Sequence, residues 1–225
     1  MPDIILHQWE ISPFCGKVRR ILDFKGLKYK VKEYNSWRVL AAGSLSPVGK
    51  LPVLEYDGEL IQDSSRIAAF LEAKHPEPSL FPKHGRDAHL AHVFEDWADE
   101  SLYWYEVYFR FMWVDGAKKA FAVIQQGRPA WETALITQSA VPMMRQKLRA
   151  QGIGKYDAET VTAQFFEHLA HLQGLLSESE WLVGDACSIA DIAVASQLAE
   201  VQRTSHLAPR FQDYPAVAAW LARVA

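Results

Sequence analysis

The N-terminal third of the chain alternates short apolar runs with helical patterns, and the remainder is helical in its spacing. Asp57-Gly58 is a strong signal for a two-residue hairpin turn. Strands are predicted where short segments are rich in β-branched residues or alternate polar with apolar positions: Ile4–Leu6, Leu27–Glu33, Leu51–Tyr56 and Glu59–Gln62. Residues 34–50 have weak periodicity and are predicted to form a loop or short helix.

Two helices accompany these strands. Ser12-Pro13 is a favourable N-cap followed by a favourable first helical residue, and apolar residues then recur at helical spacing as far as Gly26. A second helix is predicted to begin at Asp63-Ser64 and to end near His75-Pro76. The order of elements predicts an α/β domain over residues 1–76.

Residues 77–87 contain Pro78, Pro82 and Gly85, which predicts a linker and a domain boundary. Residues 88–225 are predicted to form an all-helical domain because no strand pattern recurs there. Its predicted helices are Ala88–Val114, Gln125–Arg149 with interruptions at Pro129 and Pro142, and Asp157–Leu176. Ser188-Ile189-Ala190-Asp191 is a variant of the helix capping box, with Asp in place of Glu or Gln.

Composition and charge are ordinary for a globular protein: 49% hydrophobic residues, 23% charged residues and a net charge of −3. This balance and the lack of a clustered basic run argue against a nucleic-acid partner. No apolar run is long enough to span a bilayer, and the first residues do not resemble a signal peptide. Cys15 and Cys187 could form one bridge at most, so a cytoplasmic, reducing location is expected.

The start of the first helix is the strongest candidate for chemistry. A helix N-terminus exposes unpaired N–H groups and a positive dipole end, so it can stabilise an anion. The Ser12 hydroxyl and the Cys15 thiol both lie where a thiolate would be stabilised. A purely structural role, in which Ser12 caps the helix and Cys15 packs in the core, is the alternative interpretation.

Pro52 lies inside a predicted strand, where it cannot donate to the ladder. An edge position, a strand start, a bulge or a cis peptide bond would each accommodate it, and its spacing does not choose between them. Two histidine pairs, His89/His92 and His168/His171, have helical metal-ligand spacing but lack further ligands in a zinc pattern, so no metal site is predicted.

Several motifs, taken together in their order, resemble the cytosolic glutathione transferase superfamily. They are Ser12-Pro13-Phe14-Cys15, Lys50-Leu51-Pro52-Val53-Leu54, Gln62-Asp63-Ser64 and Ser188-Ile189-Ala190-Asp191. The resemblance covers nearly the whole chain and implies a thioredoxin-like N-terminal domain followed by an all-helical domain. The segment Gln146–Val161 is in addition similar to the failed-axon-connections/metaxin-like branch, whose members are not dependable transferases.

The resemblance implies a glutathione-binding site. Pro52 would be a cis proline that leaves the Leu51 backbone free to pair with the cysteinyl part of glutathione. Asp63 would face the ammonium and Ser64 the carboxylate of the γ-glutamyl end, and Lys50 would reach the glycine carboxylate.

The implied activity is conjugation of glutathione, as co-substrate, to a small apolar electrophile, with Ser12 holding the sulfur as a thiolate. Phe14, Tyr105 and Tyr108 are candidates for the electrophile pocket, with helix packing as the alternative for the tyrosines. A second reading is glutathione-dependent thiol–disulfide exchange at Cys15, although the first position of the Cys-x-x-Cys motif is here Ser12. A third is a non-catalytic binding or scaffold protein. The family also implies a homodimer.

Overall fold

The computed structural model describes residues 2–34, 41–83, 85–124 and 129–224. Within these ranges a sheet of four strands has the order β2-β1-β3-β4. The central strand β1 is parallel to β2 and antiparallel to β3, and β3 and β4 form an antiparallel hairpin. The strands are β1 (Ile4–Gln8), β2 (Lys30–Glu33), β3 (Val53–Tyr56) and β4 (Glu59–Gln62).

Helices α1 (Pro13–Phe24) and α2 (Ser64–Lys74) complete this part of the fold. The predicted hairpin is confirmed: Asp57 and Gly58 have φ values of 48° and 87°. Positive φ at both central residues matches the twist of the two strands that the turn connects.

Strands β2 and β3 begin later than predicted. The N–H of Leu27 donates to the carbonyl of Leu22 (2.9 Å), across Gly26 with its φ of 63°, so Leu27 belongs to the C-terminal cap of α1. The Leu51–Pro52 peptide bond is cis, and the pairing of β3 with β1 starts after it, at Val53.

The second half of the described chain is helical, as predicted. None of the helices in the described ranges is long and apolar enough to cross a membrane. The elements of the second half are α3 (Gly85–Asp96), a π-helical segment (Trp97–Leu102), α4 (Tyr103–Phe111), α5 (Val114–Ile124), α6 (Ala130–Gln151), α7 (Ala158–Glu178), α8 (Ile189–Thr204) and α9 (Pro215–Val224), with short 3₁₀ segments at Ile153–Lys155 and Ala208–Asp213. A further 3₁₀ segment lies between β2 and β3, at residues 41–44.

Three predictions in this half need correction. The segment Ala88–Val114 is not one regular helix, because the π-helical segment separates α3 from α4. Helix α5 was not predicted at all, and α6 continues through Pro142 instead of breaking there. The predicted start of α6 at Gln125 and part of the predicted 34–50 loop, residues 35–40, lie outside the described residues.

The capping box of α8 is confirmed. The backbone N–H and the hydroxyl of Ser188 lie 2.9 and 3.1 Å from the Asp191 carboxylate, which also accepts from Trp220 Nε1 (2.8 Å). Helix α8 is buried along most of its length and packs against α1, so one continuous apolar core joins the sheet to the helical half. The predicted linker at residues 77–87 overlaps the irregular segment after α2 and the first residues of α3, and the domain boundary stays a prediction.

Candidate functional site

A cavity of about 450 Å³ lies between the sheet-bearing part of the fold and a wall formed by α3 and the π-helical segment that follows it. This second surface is called the α3–π-helical wall below. Six of the residues predicted to form a site line the cavity: Phe14, Lys50, Leu51, Pro52, Asp63 and Ser64. The other lining residues, which sequence reasoning missed, are Val48, Ser65, His92, Glu95, Asp96, Asp99 and Glu100.

The turn before β3 forms one wall. Leu51 precedes Val53, the first residue of β3 that pairs with β1, and is joined to Pro52 by a cis bond. The backbone of Leu51 therefore lies beside the cavity and outside the β1–β3 ladder. Lys50, which is exposed, supplies a positive charge next to it.

The N-terminus of α2 forms a second wall. Asp63 has a φ of 74°, which is rare for a residue with a side chain and is concentrated at functional sites. Its Oδ1 accepts from the N–H groups of Ser65 (3.1 Å) and Arg66 (3.2 Å), so this oxygen caps the helix. Ser64 is buried at the first helical position, where the helix dipole favours an anion.

Ser12 and Cys15 are not among the residues that line the cavity. The Ser12 Oγ accepts a long hydrogen bond from the Cys15 N–H (3.4 Å) at the start of α1. Cys15 is fully buried, and burial raises the pKa of its thiol to about 11 although Trp9 N–H and Ser12 oppose the shift. Desolvation thus opposes the thiolate that the helix N-terminus would stabilise, and a chemical role for Cys15 stays a prediction.

The aromatic residue that meets Phe14 is Tyr103, whose ring centroid lies 4.9 Å away. Burial raises the pKa of Tyr103 to about 12. Tyr105 instead packs near His168 (5.3 Å), and the Tyr108 hydroxyl donates to the Tyr156 carbonyl (3.2 Å). Neither Tyr105 nor Tyr108 lines the cavity described above, and their placement at an electrophile pocket stays a prediction.

A buried ion cluster joins the walls of the cavity. The Nζ of Lys17, on α1, donates to Glu95 Oε1 (2.6 Å), Asp99 Oδ2 (2.7 Å) and Ser65 Oγ (3.1 Å). All three partners line the cavity, whereas Lys17 is buried behind them. One lysine therefore ties α1, the N-terminus of α2 and the α3–π-helical wall together.

Asp99 is incompletely satisfied in this cluster. Its Oδ1 is buried and has no hydrogen-bond partner among the described residues. Burial raises the pKa of Asp99, and the adjacent Lys17 opposes that shift. The lining as a whole is acidic, with Asp63, Glu95, Asp96, Asp99 and Glu100 against Lys50 and His92. The α3–π-helical wall therefore favours a positively charged group.

Two sequence signals could have found this wall. Lys17 falls on the apolar face of α1 with Val18 and Ile21, where a lysine needs a buried partner. Glu95 and Asp99 lie four residues apart in the aromatic-rich segment, a spacing that places both on one helix face. Among the described residues, no group of three or more metal-ligating side chains is arranged to hold an ion.

Two family models match the chain: the glutathione S-transferase N-terminal domain over residues 6–79 and the glutathione S-transferase C-terminal domain over residues 148–223. The sheet order, the cis Leu51–Pro52 bond and the helical second half agree with that fold. The chain belongs to the glutathione S-transferase superfamily.

Among curated proteins, the chain is 40% identical over 73 residues to glutathione S-transferase DHAR2 of Arabidopsis thaliana, a match that covers 30% of this chain and 32% of that one. It is 25% identical over 214 residues to Failed axon connections of Drosophila melanogaster, covering 91% of this chain and 50% of the relative. The chain thus matches half or less of the length of these two relatives.

Solved structures share the fold over the full chain. A glutathione S-transferase from Rhodospirillum rubrum superposes with a TM-score of 0.71 at 24% identity, covering 98% of this chain and 87% of that one. One from Methylobacterium radiotolerans, in complex with glutathione sulfonate, has a TM-score of 0.62 at 25% identity, with coverage of 99% and 90%.

Proposed function

We propose that the chain binds glutathione in the cavity described above and conjugates its sulfur to an apolar electrophile. The observation that carries the proposal is the convergence of Lys50, the cis Leu51–Pro52 turn and the Ser64 end of α2 on one cavity of about 450 Å³. This volume lies within the range of small-molecule sites. The glutathione sulfonate bound to the Methylobacterium radiotolerans relative supports the choice of ligand.

Each end of the tripeptide has a complementary wall. The γ-glutamyl carboxylate lies at Ser64, where the N-terminus of α2 favours an anion. The γ-glutamyl ammonium faces the carboxylates beside Ser64. The family resemblance assigns this contact to Asp63. The cysteinyl backbone pairs with Leu51, and Lys50 attracts the glycine carboxylate.

Ser12 stabilises the sulfur as a thiolate in this proposal. Its Oγ accepts a hydrogen bond from Cys15 N–H, so the hydroxyl proton is free to donate to the sulfur. Lowering a thiol pKa by two units requires about 2.7 kcal/mol. A hydrogen bond to a charged group supplies about 1.5–3 kcal/mol and the helix end about 0.3–1 kcal/mol, so the two together are sufficient.

The electrophile lies against the Phe14–Tyr103 ring pair, which offers an apolar aromatic surface at the start of α1. This pair takes the place that the sequence assigned to Tyr105 and Tyr108. Thiol–disulfide exchange at Cys15 is disfavoured because the burial that raises its pKa also shields it from a substrate.

Calorimetry with glutathione, followed by steady-state kinetics on a panel of aromatic electrophiles, tests the proposal. We compare Ser12→Gly with wild type, since glycine keeps most of the capping preference but lacks the hydroxyl. The expected loss in kcat/KM is about 10- to 100-fold, with glutathione affinity nearly unchanged. Cys15→Ser serves as the control for the alternative mechanism. Unchanged turnover in Ser12→Gly would remove Ser12 from the mechanism.

A non-catalytic glutathione-binding protein is the second candidate. The observation that favours it is the position of Ser12, which is buried and lies outside the cavity lining. Glutathione binding by the wild type without turnover of any electrophile in the panel would support this reading.

We further propose that the chain forms a homodimer, as the family resemblance implies, and sedimentation velocity of the purified chain tests this. The two unpaired cysteines, Cys15 and Cys187, fit a reducing cytoplasmic location.

A further inference from the structure

A second cavity, of about 390 Å³, lies where the C-terminal end of α1 meets α8 and α9. Its volume is also within the range of small-molecule sites. It shares no lining residue with the cavity proposed to bind glutathione. Its charged, aromatic and thiol-bearing lining residues are Arg20, Asp23, Phe24, Trp181, Cys187 and Arg223.

Arg20 is half-buried at this cavity and has no carboxylate partner. Its side chain makes one long hydrogen bond, from Nη1 to Ser196 Oγ (3.5 Å), and it forms no ion pair with the described residues. Burial lowers the pKa of Arg20 and repulsion from Arg19 adds to the shift, while Glu200 and Asp23 oppose it without reversing it. A guanidinium nevertheless stays protonated in proteins. A poorly hydrated cation without a counter-ion favours the binding of an anion.

Arg223 brings a second guanidinium to the same cavity. It is exposed, its Nη2 donates to the Glu180 carbonyl (2.8 Å), and its Nε lies 3.9 Å from the exposed Glu180 carboxylate. Asp23 is the acidic residue among the described residues of the lining. The lining therefore has one surplus positive charge, although the chain as a whole carries a net charge of −3. A singly charged anion matches this surplus.

Phe24 and Trp181 add an aromatic surface to the cavity. Within the described residues neither ring stacks on another aromatic ring, and the Arg223 guanidinium carbon lies 5.6 Å from the centroid of the Trp181 ring. Aromatic rings bind other rings in offset or edge-to-face contacts, and a guanidinium binds a carboxylate through two parallel hydrogen bonds. Inorganic phosphate would use the two cations and leave the rings uncovered. A flat ring that carries one carboxylate would use both.

We propose that the second cavity binds a small planar aromatic carboxylate, with the carboxylate between Arg20 and Arg223 and the ring against Trp181 and Phe24. This inference goes beyond the proposed function and does not depend on it, because the two cavities have no residue in common. The bound acid joins the end of α1 to α9.

Calorimetry with 2-naphthoate tests the proposal, and 2-naphthamide, which has the same ring without the charge, is the matched ligand. The wild type should bind 2-naphthoate about tenfold or more tightly than the amide, since the amide cannot form charge-assisted hydrogen bonds as an anion. Inorganic phosphate should bind more weakly than 2-naphthoate. Equal affinities for the acid and the amide, or phosphate binding at least as tight as that of the acid, would overturn the proposal.

Variants of the lining residues assign the contacts. Arg20→Met should weaken 2-naphthoate binding about tenfold or more, and it should fold because Arg20 makes only one long hydrogen bond. Trp181→Leu should weaken binding about three- to tenfold through the lost ring contact. Arg149→Met, which removes an exposed arginine on α6, is the control and should bind like the wild type. Wild-type affinity in folded Arg20→Met would overturn the proposal.

Arg20→Lys keeps the test decisive if Arg20→Met does not fold. Lysine retains the charge but lacks the planar fork, so binding of 2-naphthoate should weaken severalfold. Wild-type affinity in both Arg20→Lys and Trp181→Leu would then overturn the proposal.

Cys187 reports where the probe binds. It is half-buried in the lining of the second cavity, whereas Cys15 is fully buried. Saturating 2-naphthoate should slow the alkylation of Cys187 by iodoacetamide, an uncharged reagent, about fivefold or more, because the bound ring restricts access to the thiol. Peptide mass spectrometry measures the rate. An unchanged rate would place the probe elsewhere and overturn the proposal.

Glutathione separates this inference from the proposed function. Saturating glutathione should not displace 2-naphthoate, since the two ligands occupy different cavities. Displacement would place the acid in the first cavity and overturn this inference. Binding of 2-naphthoate by a chain that does not bind glutathione would support this inference and contradict the proposed function.

Discussion

Helix α1 and its C-cap carry two fully buried lysines, and their surroundings differ. The side chains of Lys17 and Lys25 are 1% and 0% exposed. The Nζ of Lys25 donates to Glu72 (2.7 Å) and to the carbonyls of His75 (2.6 Å) and Pro78 (2.9 Å). One cation thus meets one carboxylate and two neutral acceptors, and its charge is balanced.

The pKa values of Glu72, in the Lys25 cluster, and Asp99, in the Lys17 cluster, are shifted in opposite directions. Burial alone would raise the pKa of Glu72, but hydrogen bonds from Lys25, Ser79 and Leu80 together lower it. Burial raises the pKa of Asp99 in spite of Lys17. A balanced, fully hydrogen-bonded cluster is suited to holding the fold together. A cluster with surplus negative charge beside a cavity is suited to receiving a ligand.

The largest expected effect is a loss of stability on replacing Lys25, whose role is structural, whereas Lys17 lies beside the cavity. Lys25→Met should lower the free energy of unfolding by about 3 kcal/mol, because Glu72 and two carbonyls lose their donor. Glutathione affinity of the folded protein should not change. Urea denaturation and calorimetry measure the two quantities.

Lys28→Met is the matched control, since Lys28 is exposed and near the same end of α1. Its unfolding free energy should stay within about 0.5 kcal/mol of the wild type. A loss of glutathione affinity in folded Lys25→Met would contradict the view that the Lys25 cluster is structural and the Lys17 cluster binds ligand.

The sequence predicts the elements that each cluster joins but not the clusters themselves. Local signals place α1 and α2, because capping residues and helical spacing act over a few positions. Lys17 contacts two carboxylates, those of Glu95 and Asp99, which lie 78 and 82 residues further along the chain. No local pattern specifies such a contact, since it depends on how the helical half packs against α1.

The faces of the helices beyond α3 were hard to predict for a related reason. Helical spacing from Trp97 onwards assumes 3.6 residues per turn, and the π-helical segment Trp97–Leu102 departs from that period. Regular helical spacing therefore does not carry across this segment, and the aromatic ring that meets Phe14 is that of Tyr103. The sequence likewise showed that Cys15 lies at a helix N-terminus, but it did not show that the Cys15 thiol is buried and desolvated.

A third cluster of buried charges lies outside the lining of the cavity described above. Arg110 on α4 pairs with Glu106 and Glu200, and Arg203 also contacts Glu200 (3.0 Å), so two cations meet two carboxylates. Glu106 is fully buried, and burial raises its pKa to about 7, with Arg110 opposing the shift and Glu200 adding to it. Burial is thus the main cause of the raised pKa of Glu106, as it is for Asp99.

The pH dependence of stability follows from this shift. The unfolded glutamate has a pKa near 4.3, so the folded state holds a proton that the unfolded state releases between about pH 4.3 and pH 7. The stabilisation is complete below the unfolded pKa and is lost as the pH rises through the folded value. Between pH 5 and pH 8 the wild type should lose about 2 kcal/mol of unfolding free energy from this group.

Glu106→Gln should remove that dependence, so that its unfolding free energy relative to the wild type rises between pH 5 and pH 8. Urea denaturation at the two pH values measures it. Glu178→Gln, at an exposed position on α7, is the control and should parallel the wild type. Parallel curves for Glu106→Gln would show that Arg110 keeps Glu106 ionised throughout and would contradict the raised pKa of Glu106.

The smallest expected effects come from replacing one serine in each cluster, Ser79 in the Lys25 cluster and Ser65 in the Lys17 cluster. The Ser79 hydroxyl lies 2.6 Å from Glu72 Oε1 and 2.8 Å from the Phe81 carbonyl, and Ser65 Oγ lies 3.1 Å from Lys17 Nζ. Ser79→Ala should lower the unfolding free energy by about 1–2 kcal/mol and leave glutathione affinity unchanged. Ser65→Ala should weaken glutathione binding about threefold, because Lys17 and Asp99 lose the hydroxyl that orients them, with a smaller loss of stability. Urea denaturation and calorimetry on both variants measure the change in stability and in glutathione affinity. If the two variants lose stability and affinity equally, the distinction between a structural and a ligand-binding cluster is wrong.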